Sequence, residues 1–230
     1  MTSGTRLYIN LTNHCNLNCP FCCMYSGTDK QTFLPFEEFK YIIDNTDGEF
    51  ELQLEGGEPL LHPQFFTCIE YALATKRCKK VIILTNGILL REKNYVKRFI
   101  YIANWNGVPF EIKVSVNYFV TPQVKGMIAY LSNLKFALEN MRYISLRLNV
   151  RLTKDHNKQN RELINNLTKY DLKSISDIYY FQSYGRLTGD SQYNGPVIVQ
   201  NIENWSIYAS DGRCFGQDLV ARSEYEKSLP

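Results

Sequence analysis

Six short runs rich in β-branched and aromatic residues recur along this chain at intervals of about 30 to 45 residues, the length of a strand, a helix and two loops. They are Leu7–Leu11, Phe50–Leu54, Lys80–Leu84, Glu111–Val116, Ser145–Leu152 and Asp177–Phe181. Several are almost continuously apolar, Val81-Ile82-Ile83-Leu84 most clearly, as strands covered on both faces tend to be. Amphipathic stretches lie between them. Phe36 to Asp44 places Phe36, Phe39, Ile42 and Ile43 on one stripe behind Pro35, and Pro63 to Thr75 and Pro122 to Asn140 each open with a proline. Strands alternating with helices predict a parallel sheet with right-handed crossovers. Six such units predict an α/β fold, a partial (β/α)6 TIM-like barrel over residues 1–184. Residues 185–230, punctuated by Gly, Asn and Pro with strand-like pieces at Val197–Val199 and Trp205–Ala209, read as a C-terminal appendage packed on that core.

At 230 residues the chain can bury one sizeable core, and its hydrophobic (44%) and charged (21%) fractions are ordinary for a globular protein. The net charge of +3 singles out no partner, and the short basic stretch Lys76-Arg77-Cys78-Lys79-Lys80 reads as a solvated helix end. Nucleic acid is disfavoured for want of a basic stripe with interleaved aromatics. Met1–Arg6 lacks the apolar core of a secretory signal, and no run is long enough to span a bilayer, so the expected setting is cytoplasmic, away from membranes.

In such a setting seven cysteines imply metal ligation more than disulfides, since Cys15, Cys19 and Cys22 crowd into eight residues with Cys23 beside them. The C-x3-C-x2-C spacing directly follows the first strand. A [4Fe–4S] cube ordinarily takes four thiolates, so three leave one iron open to a small molecule. A structural zinc site would want four ligands, and Cys23 is a poor fourth because adjacent side chains diverge. At the end of the second strand, Glu55-Gly56-Gly57-Glu58-Pro59 offers backbone that can approach a ligand closely. Alone it is a turn signal; one strand after the cysteine loop it is more specific.

The cysteine loop, with Phe21 before its last cysteine, resembles the cluster motif of the radical S-adenosylmethionine (SAM) enzymes. Gly56-Gly57-Glu58-Pro59, followed by Leu60-Leu61-His62-Pro63, resembles that family's motif for the SAM amino group. The similarity runs from about Leu7 to Phe181, within the molybdopterin-pathway and peptide-maturase branch. It implies a [4Fe–4S] cluster on Cys15, Cys19 and Cys22, with SAM bound at its open iron. It implies reductive cleavage of SAM to a 5′-deoxyadenosyl radical that takes hydrogen from a substrate. The site would be oxygen-sensitive and fed by an electron donor such as flavodoxin or ferredoxin.

Ligand chemistry in α/β barrels gathers where strands end. Thr85 ends strand three; Ser115 and Asn117 share one face of strand four; Arg147 and Asn149 share one face of strand five. The resemblance makes Thr85, Ser115 and Arg147 SAM contacts, Arg147 standing where the relative has Lys, with a different geometry for a carboxylate. Asn117 and Asn149 are candidates for the ribose. Gln182, in Gln182-Ser183-Tyr184-Gly185-Arg186, could touch adenosine or substrate, or simply turn the chain. Tyr179, Tyr180, Tyr184, Tyr193 and Tyr208 read as packing residues. Cys68 reads as a small buried hydrophobe, and His14, His62 and His156 as loop or cap residues. Cys214 sits in a segment resembling the start of an auxiliary-cluster region without its further cysteines. A peptide or small metabolite is the expected substrate. An activase that places a glycyl radical on a partner enzyme, and a non-catalytic cluster- or zinc-binding module, remain open.

Overall fold

The computed structural model describes residues 5–154, 157–189 and 204–230. Every expected strand is present, with ends displaced by no more than two residues: β1 Thr5–Asn10, β2 Phe50–Glu55, β3 Cys78–Thr85, β4 Phe110–Val116, β5 Ile144–Leu152 and β6 Ser176–Tyr180. A seventh, β7 Trp205–Tyr208, realises one of the two strand-like pieces of the tail. Val197–Val199, Tyr193 and His156 lie outside the described residues. The helices are α1 Phe36–Asp44, α2 Phe65–Ala74, α3 Lys93–Asn106, α4 Val120–Gln123, α5 Met127–Leu138, α6 Lys158–Lys169 and α7 Leu219–Ser228. The fold class is the expected one, α/β, with parallel strands and returning helices in the manner of a partial (β/α)6 barrel. Among the described residues no helix is long and apolar enough to cross a membrane.

The chain divides into two compact units, Met1–Leu84 with Gln182–Pro230, and Thr85–Phe181. In the first, the strands run in the order β3-β2-β1-β7, all parallel. Leu7 and Ile9 of β1 and Leu52 and Leu54 of β2 are at most 1% exposed and pair in register, forming an apolar face. Their alternates Tyr8, Asn10, Gln53 and Glu55 form a polar face on the other side. Arg77, in the basic stretch, turns its guanidinium to the carbonyls of Ile43 (2.7 Å) and Thr46 at the end of α1. The stretch is therefore not a solvated helix end: it runs into β3, and Arg77 caps the carbonyls of a different helix.

In the second unit β6-β5-β4 are parallel, and α5 packs on β5. Ile112, Val114, Leu146, Leu148 and Val150 are buried, while Lys113, Ser115, Arg147 and Asn149 are half-buried on the opposite face. The expected single helix over 122–140 is two. Val124 is extended and Gly126 takes a left-handed φ of +75°, which breaks the hydrogen-bond ladder before α5 begins.

Candidate cluster and cofactor site

The loop carrying the cysteines leaves β1 and is held by backbone bonds at both ends. Cys15 N–H donates to Gly27 O (3.0 Å), Gly27 N–H to Asn13 O (3.3 Å) and Cys22 N–H to Cys19 O (3.2 Å). Asn18 closes the middle, its amide donating to Thr28 Oγ1 (2.9 Å) and its carbonyl accepting from Thr28 N–H (3.0 Å). Cys15 is buried, while Cys19, Cys22 and Phe21 are half-buried. Burial, then the nearby Glu58 charge, pushes the Cys15 thiol up to about 12. Burial and the Cys22 charge do the same to Cys19, against the Arg186 guanidinium, which favours its thiolate. A metal binding to thiols held neutral in this way must displace their protons, so its uptake would be pH-dependent.

Among the described residues no three His, Cys, Asp or Glu side chains converge closely enough to hold a single ion. Cys19 and Cys22 lie near enough to Cys15 to push its thiol up, and three thiols on one loop are the donor type a [4Fe–4S] cluster takes.

The glycine loop is joined to the same stretch of chain. Gly57 N–H donates to Thr12 O (2.6 Å) and Glu58 N–H to His14 O (2.9 Å), immediately before Cys15. A Cβ on Gly57 would stand 2.1 Å from His14 O, and one on Gly56 (φ +146°) 2.3 Å from Thr12 O. The two glycines are therefore required by the approach of one loop's backbone to another's, in addition to any approach to a ligand. Glu58 is fully buried and accepts from Leu60 N–H (3.3 Å), capping a short 3₁₀ turn that opens at Pro59. His62 ends it. Gln64 N–H donates to its Nδ1 (3.1 Å), so Nε2 carries the proton and donates to Leu34 O (2.9 Å). Burial lowers its pKa.

Two segments distant in sequence grip this assembly, and neither was anticipated. After β6, Arg186 donates to the carbonyls of Cys19 (2.8 Å) and Ser26 (3.0 Å). From α7, Arg222 lies 2.6 Å from Glu55 and over the Tyr8 ring, and Glu226 accepts from Asn10 and from Ser210 N–H (2.7 Å) and Oγ (2.8 Å). Arg222 Nη1 and Glu55 Oε1 are close enough for an ion pair but too poorly aligned for a directed hydrogen bond. Burial opposes the Arg222 charge, and Glu55, Tyr8 and Cys23 together more than compensate. Gln182 is half-buried, and its carbonyl accepts from Tyr184 N–H (2.9 Å).

In the second unit Thr85 is buried and its Oγ1 accepts from Gly87 N–H (3.0 Å). Asn117 Oδ1 accepts from Phe119 N–H (3.0 Å) and Val120 N–H (2.8 Å), capping the start of α4. Arg147 is ion-paired with Asp177 of β6. Ser115 and Asn149 are register partners on β4 and β5, and the buried Oδ1 of Asn149 has no hydrogen-bond partner. Among the described residues this acceptor has no donor, and a buried amide oxygen ordinarily accepts a hydrogen bond. Cys68 is buried in α2 as expected, and Cys214 is exposed. Tyr179 and Tyr180, expected in packing, are 44% and 43% exposed.

The model of the Radical SAM superfamily matches residues 9–105, which contain both loops. Over those residues the chain is similar to the radical SAM superfamily. It is a family of enzymes that use a [4Fe–4S] cluster and SAM. Among curated relatives, the antilisterial bacteriocin subtilosin biosynthesis protein AlbA of Bacillus subtilis (strain 168) is 34% identical over 86 residues, 36% of this chain and 19% of AlbA. The GTP 3′,8-cyclase of Synechocystis sp. is 36% identical over 89 residues, 37% of this chain and 27% of the cyclase. The match thus spans between 19% and 27% of these relatives' length. The structure of native anSMEcpe with bound AdoMet and Cp18Cys peptide shares the fold, with a TM-score of 0.55 at 15% identity over 77% of this chain and 50% of that one.

Proposed function

We propose that this chain is a radical SAM enzyme that holds a [4Fe–4S] cluster on Cys15, Cys19 and Cys22 and acts on a peptide. When bound, the cluster and SAM supply one chemistry: an electron passed to the sulfonium splits SAM into methionine and a 5′-deoxyadenosyl radical, which takes a hydrogen atom from the substrate. The observation that carries the reading is the stitching of Gly57 and Glu58 to the carbonyls of Thr12 and His14, which makes the two loops one structural unit.

The chain's own residues then have distinct tasks. The three thiols bind iron; Gly56 to Pro59 offer backbone and the buried Glu58 carboxylate toward the SAM ammonium group. Considered by itself, the second unit offers Asn149 Oδ1, without a hydrogen-bond partner among the described residues, as an acceptor for a hydroxyl. Asn117 and Arg147 are already engaged in that unit, so Ser115 and Asn149 are its better candidates for SAM. The peptide assignment draws on anSMEcpe, whose structure holds a peptide beside AdoMet, and on AlbA, whose name places it in bacteriocin biosynthesis. The cyclase is the argument for a small metabolite instead. A flavodoxin or ferredoxin is the electron donor that fits such chemistry.

Anaerobic reconstitution followed by SAM and a strong reductant tests the reading. Wild-type protein should release 5′-deoxyadenosine, and Cys15→Ala, Cys19→Ala and Cys22→Ala should release none. Undiminished release from the cysteine variants would overturn it. Incubation with candidate peptides and with GTP, scored by substrate-dependent release, separates the two substrate classes.

A further inference from the structure

The residues that follow β6 turn back onto the cysteine loop. Arg186 reaches across 167 positions in sequence to Cys19 O (2.8 Å). Its other terminal nitrogen donates to Ser26 O (3.0 Å) and, more weakly, to Tyr25 O (3.4 Å). Its backbone N–H donates to Cys22 O (3.1 Å). One residue thus binds four carbonyls of the cysteine loop, from Cys19 to Ser26. Only the planar, five-donor fork of arginine can spread its hydrogen bonds in this way; a lysine ammonium is a point.

The neighbouring residue fits the same purpose. Gly185 has a φ of +66°, and a Cβ there would stand 2.4 Å from Cys23 Cα and 2.7 Å from Cys22 O. Tyr25 closes the contact from the loop side, its hydroxyl donating to Gly185 O (2.8 Å). All these residues belong to the first unit.

The geometry points to Arg186 as a positioning residue for the cluster loop, a guanidinium clamp that holds the backbone around Cys19 and Cys22 and sets a positive charge beside it. The inference rests on the reading of that loop as a cluster site, and goes beyond it by assigning retention and electronic tuning to a residue outside both motifs. Hydrogen bonds and charge around a cluster move its reduction potential, and removing an outer-shell partner typically costs about 10–100-fold in metal affinity. The clamp should behave as such a partner.

The test compares wild type, Arg186→Lys and Arg186→Gln after anaerobic reconstitution. Three quantities are read: melting temperature before iron is added, rate of iron release to a ferrous chelator, and midpoint potential of the bound cluster. Both variants should release iron about tenfold faster or more. Arg186→Gln should also show a lower potential, while Arg186→Lys, which keeps the charge, should stay nearer wild type. If the folded variants lose only melting temperature and match wild type in iron release and potential, the residue is merely structural and the inference fails. If wild type itself takes up no iron, the parent reading fails instead. Should Arg186→Gln not fold, Tyr25→Phe, which removes the bond to Gly185, should still speed iron release severalfold; release at the wild-type rate would overturn the clamp.

Discussion

The two units carry the same strand pattern, apolar on one face and polar on the other, and treat the polar face in opposite ways. In the first, α7 lies against it: Arg222 sits between Glu55 and the ring of Tyr8, and Glu226 collects Asn10 and Ser210. Every one of these charged groups is buried. In the second, Lys113, Ser115, Arg147 and Asn149 remain half-exposed, and Asn149 keeps a buried acceptor without a partner. A polar stripe on an otherwise apolar strand therefore has two meanings. It can be covered by a helix that brings opposite charges, even where atoms such as Asn10 Oδ1 and Arg222 Nε lack a directed hydrogen bond among the described residues, or it can stay half-exposed with its charges paired along the strands.

The contrast can be broken most directly at Arg222. Arg222→Ala removes one partner of a buried ion pair and leaves Glu55 alone, which should cost about 3–5 kcal/mol in urea unfolding. A loss below about 1 kcal/mol would mean that the pair is hydrated and the face is not sealed. Next in size is Gly57→Val, whose side chain has no room against His14 O. It should destabilise by about 3 kcal/mol, at the upper end for overpacking, and abolish iron uptake. Normal iron content and SAM cleavage in that variant would show that the two loops need not touch.

The open face predicts the reverse pattern. Asn149→Ala should weaken SAM binding about tenfold by calorimetry, the worth of about one hydrogen bond, with little change in melting temperature. A large stability loss with unchanged SAM affinity would place Asn149 with the sealed face instead. The Arg147–Asp177 pair is partly exposed, with side chains 37% and 30% accessible, so Arg147→Ala should cost less than about 1 kcal/mol.

The smallest effect concerns pH. His62 is buried neutral, with its folded pKa below its unfolded value near 6.5. Below that value the unfolded chain binds more protons than the folded one, so stability should fall as pH drops from about 6.5 toward the folded pKa. His62→Gln should remove this component, seen as a flatter plot of melting temperature against pH. An unchanged slope would assign the loss to other groups.

Much of this was legible in sequence because it is local. Strand positions follow from runs of four to eight residues, and α1 begins and ends where its apolar stripe does. The cysteine spacing and the glycine loop are contiguous motifs. Helices α3 and α6 carried weaker signals. On α3, exposed Tyr101 and Trp105 blur the stripe of Phe99, Ile102 and Ala103; on α6, only Leu163 and Leu167 mark the buried face behind the Asn157 cap. What could not be read was pairing at a distance. Nothing near Arg186 announces the carbonyls of Cys19 and Ser26, and nothing near Arg222 announces Glu55, because backbone carbonyls and buried partners leave no local pattern. The same gap hid the second constraint on Gly57, whose neighbour is another stretch of backbone.

The measurement closest to the central claim is iron stoichiometry with electron paramagnetic resonance of the reduced, reconstituted protein before and after SAM. Three thiolates and one open iron predict about four irons per chain and a spectrum that shifts when SAM is added. A single bound metal ion per chain, or a four-iron signal indifferent to SAM, would contradict the account.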